Sequence, residues 1–367
     1  MQVLVVGGTG PTGIPIVRGL VDRGHDVTIL HRGLHERPET PAEVTHLHAD
    51  PYDEASLGDA LGERTYDAVV AMYGRLRRVA ALTRGRTGLF VSVGGVPAYR
   101  GWTDAWQHTP AGLPVPIPED ADLVLDPAID EKGYRIVRTE QAVFEAHPEA
   151  VHFRYPYMYG PHQPVPREWS IVRRILDGRT RMIIPDEGLT LHHHGYTENC
   201  AAALLAALDR PERARGTVFN VADAEVLTIR QVIELCAAEL GADLELISMP
   251  YDMAVPAWPL LAQPSPTHRV LDLTLLHAQL GYRDVVPARE AIRRTARWLT
   301  ENRPAPGGPE EHVLTDPFDY PNEDRLIESW LAARAAVVVP KFETQPGFGL
   351  AYSGPQGRPR MHREFVE

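Results

Sequence analysis

The sequence predicts an α/β fold, a doubly wound parallel sheet, on three observations. Short apolar runs alternate with amphipathic stretches from the start of the chain to residue 155. The amphipathic stretches repeat apolar residues at i, i+3 and i+4, the period of a helix with one buried face. Glycine marks the first strand-to-helix junction, at Gly7, Gly10 and Gly13. Alternation of this kind gives parallel strands covered by helices on both faces.

The strands are predicted over 2–6, 26–30, 44–48, 68–72, 88–93 and 151–154, and the helices over 13–23, 54–61, 75–84 and 131–146. Gly24 stands just past the first helix, where a left-handed cap belongs. The segment 98–130 is rich in Pro and Trp and weakly periodic, and reads as a long loop over the site. Beyond Tyr155 the pattern is mixed. Helices are predicted over 169–176, 196–208 and 229–240, strands over 217–221 and 245–249, and a last helix over 288–300. A Pro/Gly-rich hinge at 302–309 precedes a tail with one clear helix, 323–336. The predicted organisation is a nucleotide-type domain over 1–155 with return segments near 196–222. A smaller mixed α/β substrate lobe over 156–302 is interleaved with it, and a C-terminal extension covers 303–367.

Composition narrows the function. With 367 residues, 44% hydrophobic and 23% charged, the chain has ample core material and is not a disordered segment. No run approaches the ~18 consecutive apolar residues of a membrane span. The opening MQVLVVGGTG has no basic region ahead of its apolar run, so it does not read as a signal peptide, and the expectation is a cytoplasmic protein. Cys200 and Cys236 fit neither a disulfide framework nor a zinc site. Lys+Arg is 37 against 49 Asp+Glu, a net charge of −12, which argues against nucleic acid as the partner. Lys132 and Lys341 are the chain's two lysines, so candidates for a catalytic lysine are few.

The run Gly7-Gly8-Thr9-Gly10-Pro11-Thr12-Gly13 lies between the first strand and the first helix. Glycines three apart allow a tight turn, close approach of backbone to a pyrophosphate, and close helix–strand packing. The helix start adds unpaired N–H groups and a partial positive charge. In this context the loop predicts dinucleotide binding on a Rossmann-type sheet, with Gly7, Thr9, Gly10, Pro11, Thr12 and Gly13 as contacts. The second strand ends Ile29-Leu30-His31-Arg32-Gly33, without the acid that accepts from a ribose 2′-hydroxyl in NAD sites. Arg32 can instead pair with a 2′-phosphate. NADP is therefore preferred over NAD.

With these motifs in place, the chain resembles the extended short-chain dehydrogenase/reductases, the NAD-dependent epimerase/dehydratase family, through about 300 residues. His48-Ala49-Asp50-Pro51 is similar to the family's third-strand element, which implies adenine contacts for Asp50 and Pro51. Val69 to Gly74 stands at its small-residue turn, implying Met72 and Tyr73 beside the cofactor. Arg154-Tyr155-Pro156-Tyr157-Met158-Tyr159-Gly160-Pro161 resembles the element lining the nicotinamide, which implicates Tyr157. Phe219-Asn220-Val221 and the run from Leu280 to Trp298 match the C-terminal pattern. The tail from Glu310 lies outside the resemblance.

The family's chemistry uses a Tyr and a Lys four residues on, side by side on one helix face. Read against Gly133-Tyr134-Arg135-Ile136-Val137-Arg138, the resemblance implies Tyr134 as the proton-transfer residue, with Arg138 in the lysine's place. The competing reading of Tyr134 is a helix-face tyrosine packed against the cofactor. The substrate-polarising hydroxyl is displaced as well. Gly95 stands at its position, with Ser92 three residues earlier and Tyr99 four residues later. The adjacent Asp-Glu pair of the sugar dehydratases is missing there, and Tyr157 stands where many nucleotide-sugar enzymes have Asn, so a sugar nucleotide is not the default substrate. His162, His194 and Tyr99 are candidate substrate contacts. His192-His193-His194 is not read as a metal site, because successive residues of an extended segment face opposite ways.

The expected function is an NAD(P)-dependent oxidoreductase on a small organic carbonyl or alcohol, in specialised metabolism. Two alternatives stay open: an epimerase with a non-exchanging NAD, or a catalytically silent dinucleotide-binding scaffold. The resemblance also implies a homodimer through paired helices.

Overall fold

The computed structural model describes residues 1–33, 37–50, 52–72, 75–261, 265–343, 349–350 and 360–361. It comprises two compact units, Met1–Asp319 and Tyr320–Glu367. The first unit opens with β1 (Gln2–Val6), α1 (Gly13–Asp22), β2 (Asp26–His31), β3 (Thr45–His48), α2 (Glu54–Leu61), β4 (Tyr66–Met72), α3 (Leu76–Leu82), β5 (Thr87–Gly95), α4 (Glu131–Ala146) and β6 (Val151–Tyr155). It continues with β7 (Tyr157–Tyr159), α5 (Trp169–Leu176), β8 (Arg181–Pro185), β9 (His194–Tyr196), α6 (Thr197–Asp209), α7 (Pro211–Ala214) and β10 (Val218–Asn220). It closes with α8 (Ile229–Glu239), β11 (Glu245–Met249), α9 (Trp258–Leu261), α10 (Thr274–Leu280), α11 (Ala288–Glu301) and α12 (Pro309–Leu314).

Seven parallel strands form the main sheet in the order β10-β6-β5-β4-β1-β2-β3, so the chain winds outward from β1 in both directions, as the alternation predicts. Alternate residues of β1 point to opposite faces. Val3 and Val5 join Ile16, Val17 and Leu20 of α1 and Leu204 and Leu208 of α6. Leu4 and Val6 join Leu57 and Leu61 of α2 with Val79 of α3 and Val143 of α4. Each fully buried Val, Leu or Ile adds ~1.5–3 kcal/mol, so these two layers hold the ends of the strands in fixed positions. Gly24 adopts φ +73°, the left-handed cap its position calls for.

The segment 98–130 is more than a loop. Tyr99, Trp102 and Ile117 are buried with Val96, Ala222, Leu271 and Leu273, and the Ile117 N–H donates to the Val270 carbonyl at 2.8 Å. In the smaller lobe β8 pairs in parallel with β11, Arg181 opposite Glu245 through Pro185 opposite Met249. The 303–319 stretch, the start of the extension expected from sequence, falls within the first compact unit. Glu311 accepts from the Trp169 indole at 2.8 Å, and Asp316 accepts from Arg174 at 2.7 and 3.1 Å. The second unit contains α13 (Tyr320–Ala336) and a short antiparallel pair, Gly349–Leu350 with Arg360–Met361. Among the described residues no helix is long and apolar enough to cross a membrane.

Candidate functional site

The glycine loop follows β1 at the carboxyl end of the sheet. Gly7 has φ +92° and donates its N–H to the Leu30 carbonyl at 3.0 Å, a conformation a side chain would strain. A Cβ on Gly13 would stand 2.6–2.8 Å from backbone atoms of Gly7 and Gly8, so glycine is required for α1 to start here. A Cβ on Gly10 would meet only the Gly7 carbonyl, at 3.7 Å, and would otherwise enter open space. No side chain caps α1 and no acid stands in its first turn. The helix therefore keeps unpaired N–H groups beside an open space, and the loop fits a pyrophosphate. Thr9 and Pro11 are half-buried, while Thr12 is buried with its hydroxyl 3.5 Å from Met72 Sδ.

Arg32 is exposed at the end of β2. Beside it His31 Nδ1 accepts from the Gly33 N–H at 3.1 Å, which places the ring proton on Nε2, 2.9 Å from His46 Nδ1. His31, His46 and His48 bring three ring nitrogens within 4.8 Å of one another. That tautomer gives His31 Nε2 as a donor rather than a metal ligand. Asp50 is exposed and accepts from the Tyr52 N–H at 2.9 Å. Pro51 and Tyr73 lie outside the described residues.

A cavity of about 550 Å³ opens at the carboxyl ends of β5 and β6. Val93, Gly94 and Gly95 form its floor with Tyr155, Pro156 and Tyr157, and Val96, Pro97 and Trp102 cover it. Lys132, Arg135, Ile136 and Thr139 of α4 make the facing wall. In the sheet β5 stands two places from β1. At the usual strand spacing that is about 10 Å, a distance shorter than an extended dinucleotide.

The rotation of α4 decides which side chains reach this cavity. Asp130 caps the helix by accepting from the Gly133 N–H at 2.9 Å, and a Cβ on Gly133 would stand 2.6 Å from the Pro97 carbonyl. Glu140 is buried and takes Arg154 Nε and Nη2 at 3.0 and 2.7 Å. Burial raises the Glu140 carboxyl, but the Arg154 bonds and nearby His152 outweigh it and hold it below the usual range. With Glu140 turned inward, Ile136 and Lys132, one and two near-turns earlier, face the cavity. At 3.6 residues per turn Tyr134 lies about 200° around the helix from Lys132.

This rotation leaves the expected catalytic pair off the cavity wall. Tyr134 and Arg138 do not line the cavity, and Arg138 is exposed and donates to Gln141 Oε1 at 2.8 Å. Ser92 is also displaced. It is fully buried in β5, 2.7 Å from His152 Nδ1, and His152 Nε2 lies 3.4 Å from Glu140 Oε2. Burial pushes His152 down to about 4, so the ring is neutral and the run Ser92–His152–Glu140–Arg154 is a buried polar chain under the cavity floor. Tyr99 is buried and donates to Asn220 Oδ1 at 2.7 Å, and burial pushes its phenol up to about 12. His162 lines a different groove with Pro11 and Ile14, 3.3 Å from Glu39 Oε1. His194 sits behind the cavity, 3.2 Å from Arg167 Nη1. Tyr157 does line the cavity. The cavity-lining residues Lys132 and Ile136 were not singled out from sequence because the helix was aligned on its tyrosine. The signal that finds them is Glu140, which pairs with Arg154 and fixes the register.

No family model matches the chain. It is 28% identical over 259 residues to a 3-diazoavenalumate denitrifying reductase of a Streptomyces species, covering 66% of this chain and 82% of that one. It is 25% identical over 257 residues to chloroplast stem-loop binding protein of 41 kDa b of Arabidopsis thaliana, covering 65% of this chain and 63% of that one. The structure of UDP-glucuronic acid 4-epimerase from Bacillus cereus, in complex with UDP-glucuronic acid and NAD, matches with a TM-score of 0.63 at 15% identity, over 82% of this chain and 100% of that one. The fold is thus that of a doubly wound dinucleotide-type protein. More closely, it is the fold of the extended short-chain dehydrogenase/reductases, as the motifs implied.

Proposed function

We propose that this chain is a pyridine-dinucleotide-dependent oxidoreductase acting on a small organic carbonyl or alcohol, with NADP preferred over NAD. The observation that carries the reading is the juxtaposition of two features on one sheet edge. A glycine loop with an uncapped helix stands at the end of β1, and a cavity walled by Lys132 stands at the ends of β5 and β6. The reductase named among the relatives and the NAD in the epimerase complex support it.

The amides of Gly7 to Gly13 would hold the diphosphate, and Arg32 would meet a 2′-phosphate beside the imidazoles at the ends of β2 and β3. A bound nicotinamide supplies or accepts a hydride. Lys132, an ammonium with three donors, is positioned to hydrogen-bond the substrate oxygen and exchange a proton with it at Nζ. Trp102, Tyr155, Tyr157 and Ile136 give the chamber apolar walls, while Lys132 itself is exposed to solvent. Arg135, tied to Glu131, keeps a second cation at the rim. The face of α4 away from the cavity carries Tyr134 and Arg138, which supports the helix-paired homodimer as a proposal. The acidic balance supports a small molecule rather than nucleic acid as the partner.

Titration calorimetry with NADPH and NADH tests the reading. The expected result is binding of both, NADPH at least tenfold tighter. Equal affinities or tighter NADH would remove the NADP assignment, and no binding of either would remove the function. One observation favours a second reading, a silent dinucleotide-binding protein: Ile136 gives the cavity face of α4 an apolar side chain four residues after Lys132, where a cation would hold the ribose. Hydride transfer to any small carbonyl excludes that reading.

A further inference from the structure

The buried arginines of the first unit fall into two groups. Arg154 is matched to Glu140, and Arg174 is matched to Asp316, each through two hydrogen bonds. Arg167 and Arg269 are buried too, yet among the described residues no carboxylate lies within ion-pair distance of either. Arg167 Nη1 donates to His192 Nδ1 at 3.4 Å, His194 Nε2 at 3.2 Å and the Leu260 carbonyl at 3.2 Å, while its Nε and Nη2 have no partner. Arg269 Nε donates to the Trp102 carbonyl at 2.6 Å and Nη1 to Thr267, while Nη2 has none. His192 accepts at Nδ1, so its proton is on Nε2, which is also unpartnered.

Every unpartnered atom in this cluster is a donor. Burial and the neighbouring arginine hold His192 well below its ordinary value, so the imidazole adds a donor and no charge. Glu168 is buried next in the chain but forms no ion pair, and burial raises its carboxyl. Two buried cations with no carboxylate within ion-pair distance are costly, and an anion bound there would offset that cost. The cluster also touches the cavity. The Tyr157 ring covers the Arg167 guanidinium, the Trp102 carbonyl holds Arg269, and both aromatic residues line the 550 Å³ chamber.

We propose that Arg167 and Arg269, with His192, form an anion subsite behind the Tyr157–Trp102 wall, and that the cavity takes a small apolar carboxylate. The carboxylate is seated by the arginine forks when the Tyr157 ring turns aside, and the apolar body lies against Trp102, Tyr155 and Ile136. Planar guanidinium groups match a carboxylate through paired hydrogen bonds. This deepens the reading of the cavity as the substrate chamber and rests on it.

Calorimetric titration of the NADP⁺-saturated protein with trans-cinnamate, cinnamamide and phenyl phosphate tests the subsite. Cinnamate is expected to bind at least tenfold tighter than the neutral amide. Arg269→Met is expected to remove that preference, Arg269→Lys to keep part of it, and both to leave NADP⁺ affinity within twofold. Arg269→Met is further expected to hold or raise the Tm, since it removes an uncompensated buried charge, whereas a structural arginine would lower it. Equal binding of acid and amide, an unchanged preference in Arg269→Met, or tighter phenyl phosphate would overturn the proposal. If NADP⁺ fails to bind the wild type, the dinucleotide reading fails separately, and the cinnamate titration of the free protein still decides the subsite.

Discussion

The glycine loop and the helix α4 stand at the same edge of the same sheet, and they follow the pattern the sequence resembles to different degrees. In the loop three of the four glycines differ in setting: φ +92° at Gly7, open space at Gly10, and backbone contact at Gly13. In α4 the register is held by Glu140 and Arg154, while the positions that face the cavity carry Lys132 and Ile136. Backbone chemistry that grips a diphosphate tolerates no substitution at its close contacts. Side chains on a rigid helix can be exchanged without loss of the fold, so reaction type changes there.

The sharpest way to break this contrast is Gly13→Val. The new side chain would collide with the Gly7 and Gly8 backbone, and dinucleotide affinity is expected to fall about 1000-fold, or ~4 kcal/mol. Calorimetry beside far-UV circular dichroism checks it, and full affinity in a folded variant would contradict the role of the loop. On the helix, Lys132→Met is expected to lower turnover about 10²–10³-fold with dinucleotide affinity held within a few-fold. Tyr134→Phe is expected to change turnover less than twofold. Reversed effects would restore the pairing of Tyr134 with Arg138.

The polar chain under the cavity gives a smaller effect. Burial holds His152 and His193 at about 4 each, below the ordinary histidine value of about 6.5. Between those pH values the unfolded chain binds protons that the folded chain refuses, so stability falls as pH drops through the window. His192 and His194, held well below the ordinary histidine value by burial, act with the same sign. Asp223, raised to about 6 by burial, takes up a proton in the folded state over the same range and offsets part of the loss. Chemical denaturation at pH 7.5 and pH 5 is expected to show a net loss of stability at the lower pH, with a shallower slope in His152→Gln. A flat profile would contradict the buried neutral rings.

Periodicity alone was enough to read the parallel sheet, its helices and the loop between β1 and α1, because each depends on local pattern. The site was legible only in part. Tyr157 could be placed from the Tyr-Gly-Pro element, but Tyr134 and Ser92 could not, since helix rotation and strand facing are set by partners far along the chain. Glu140 meets Arg154 across 14 residues, and Ser92 meets His152 across 60. The unpaired state of Arg167 and Arg269 was not legible at all, because it depends on which acids the fold brings near. Short strands such as β8, with Arg181 at one end and Pro185 at the other, carry too little alternation to be seen.

The chain's two lysines allow a direct test without knowledge of the substrate. Reductive methylation with ¹³C-formaldehyde labels Lys132 and Lys341, and the two dimethyl-lysine signals can be followed by NMR as NADP⁺ is added. The account expects the Lys132 signal to shift with saturation while the Lys341 signal stays in place. Saturable binding that leaves the Lys132 signal unmoved would show that the nicotinamide end goes elsewhere, and would contradict Lys132 as the residue that meets the reacting oxygen.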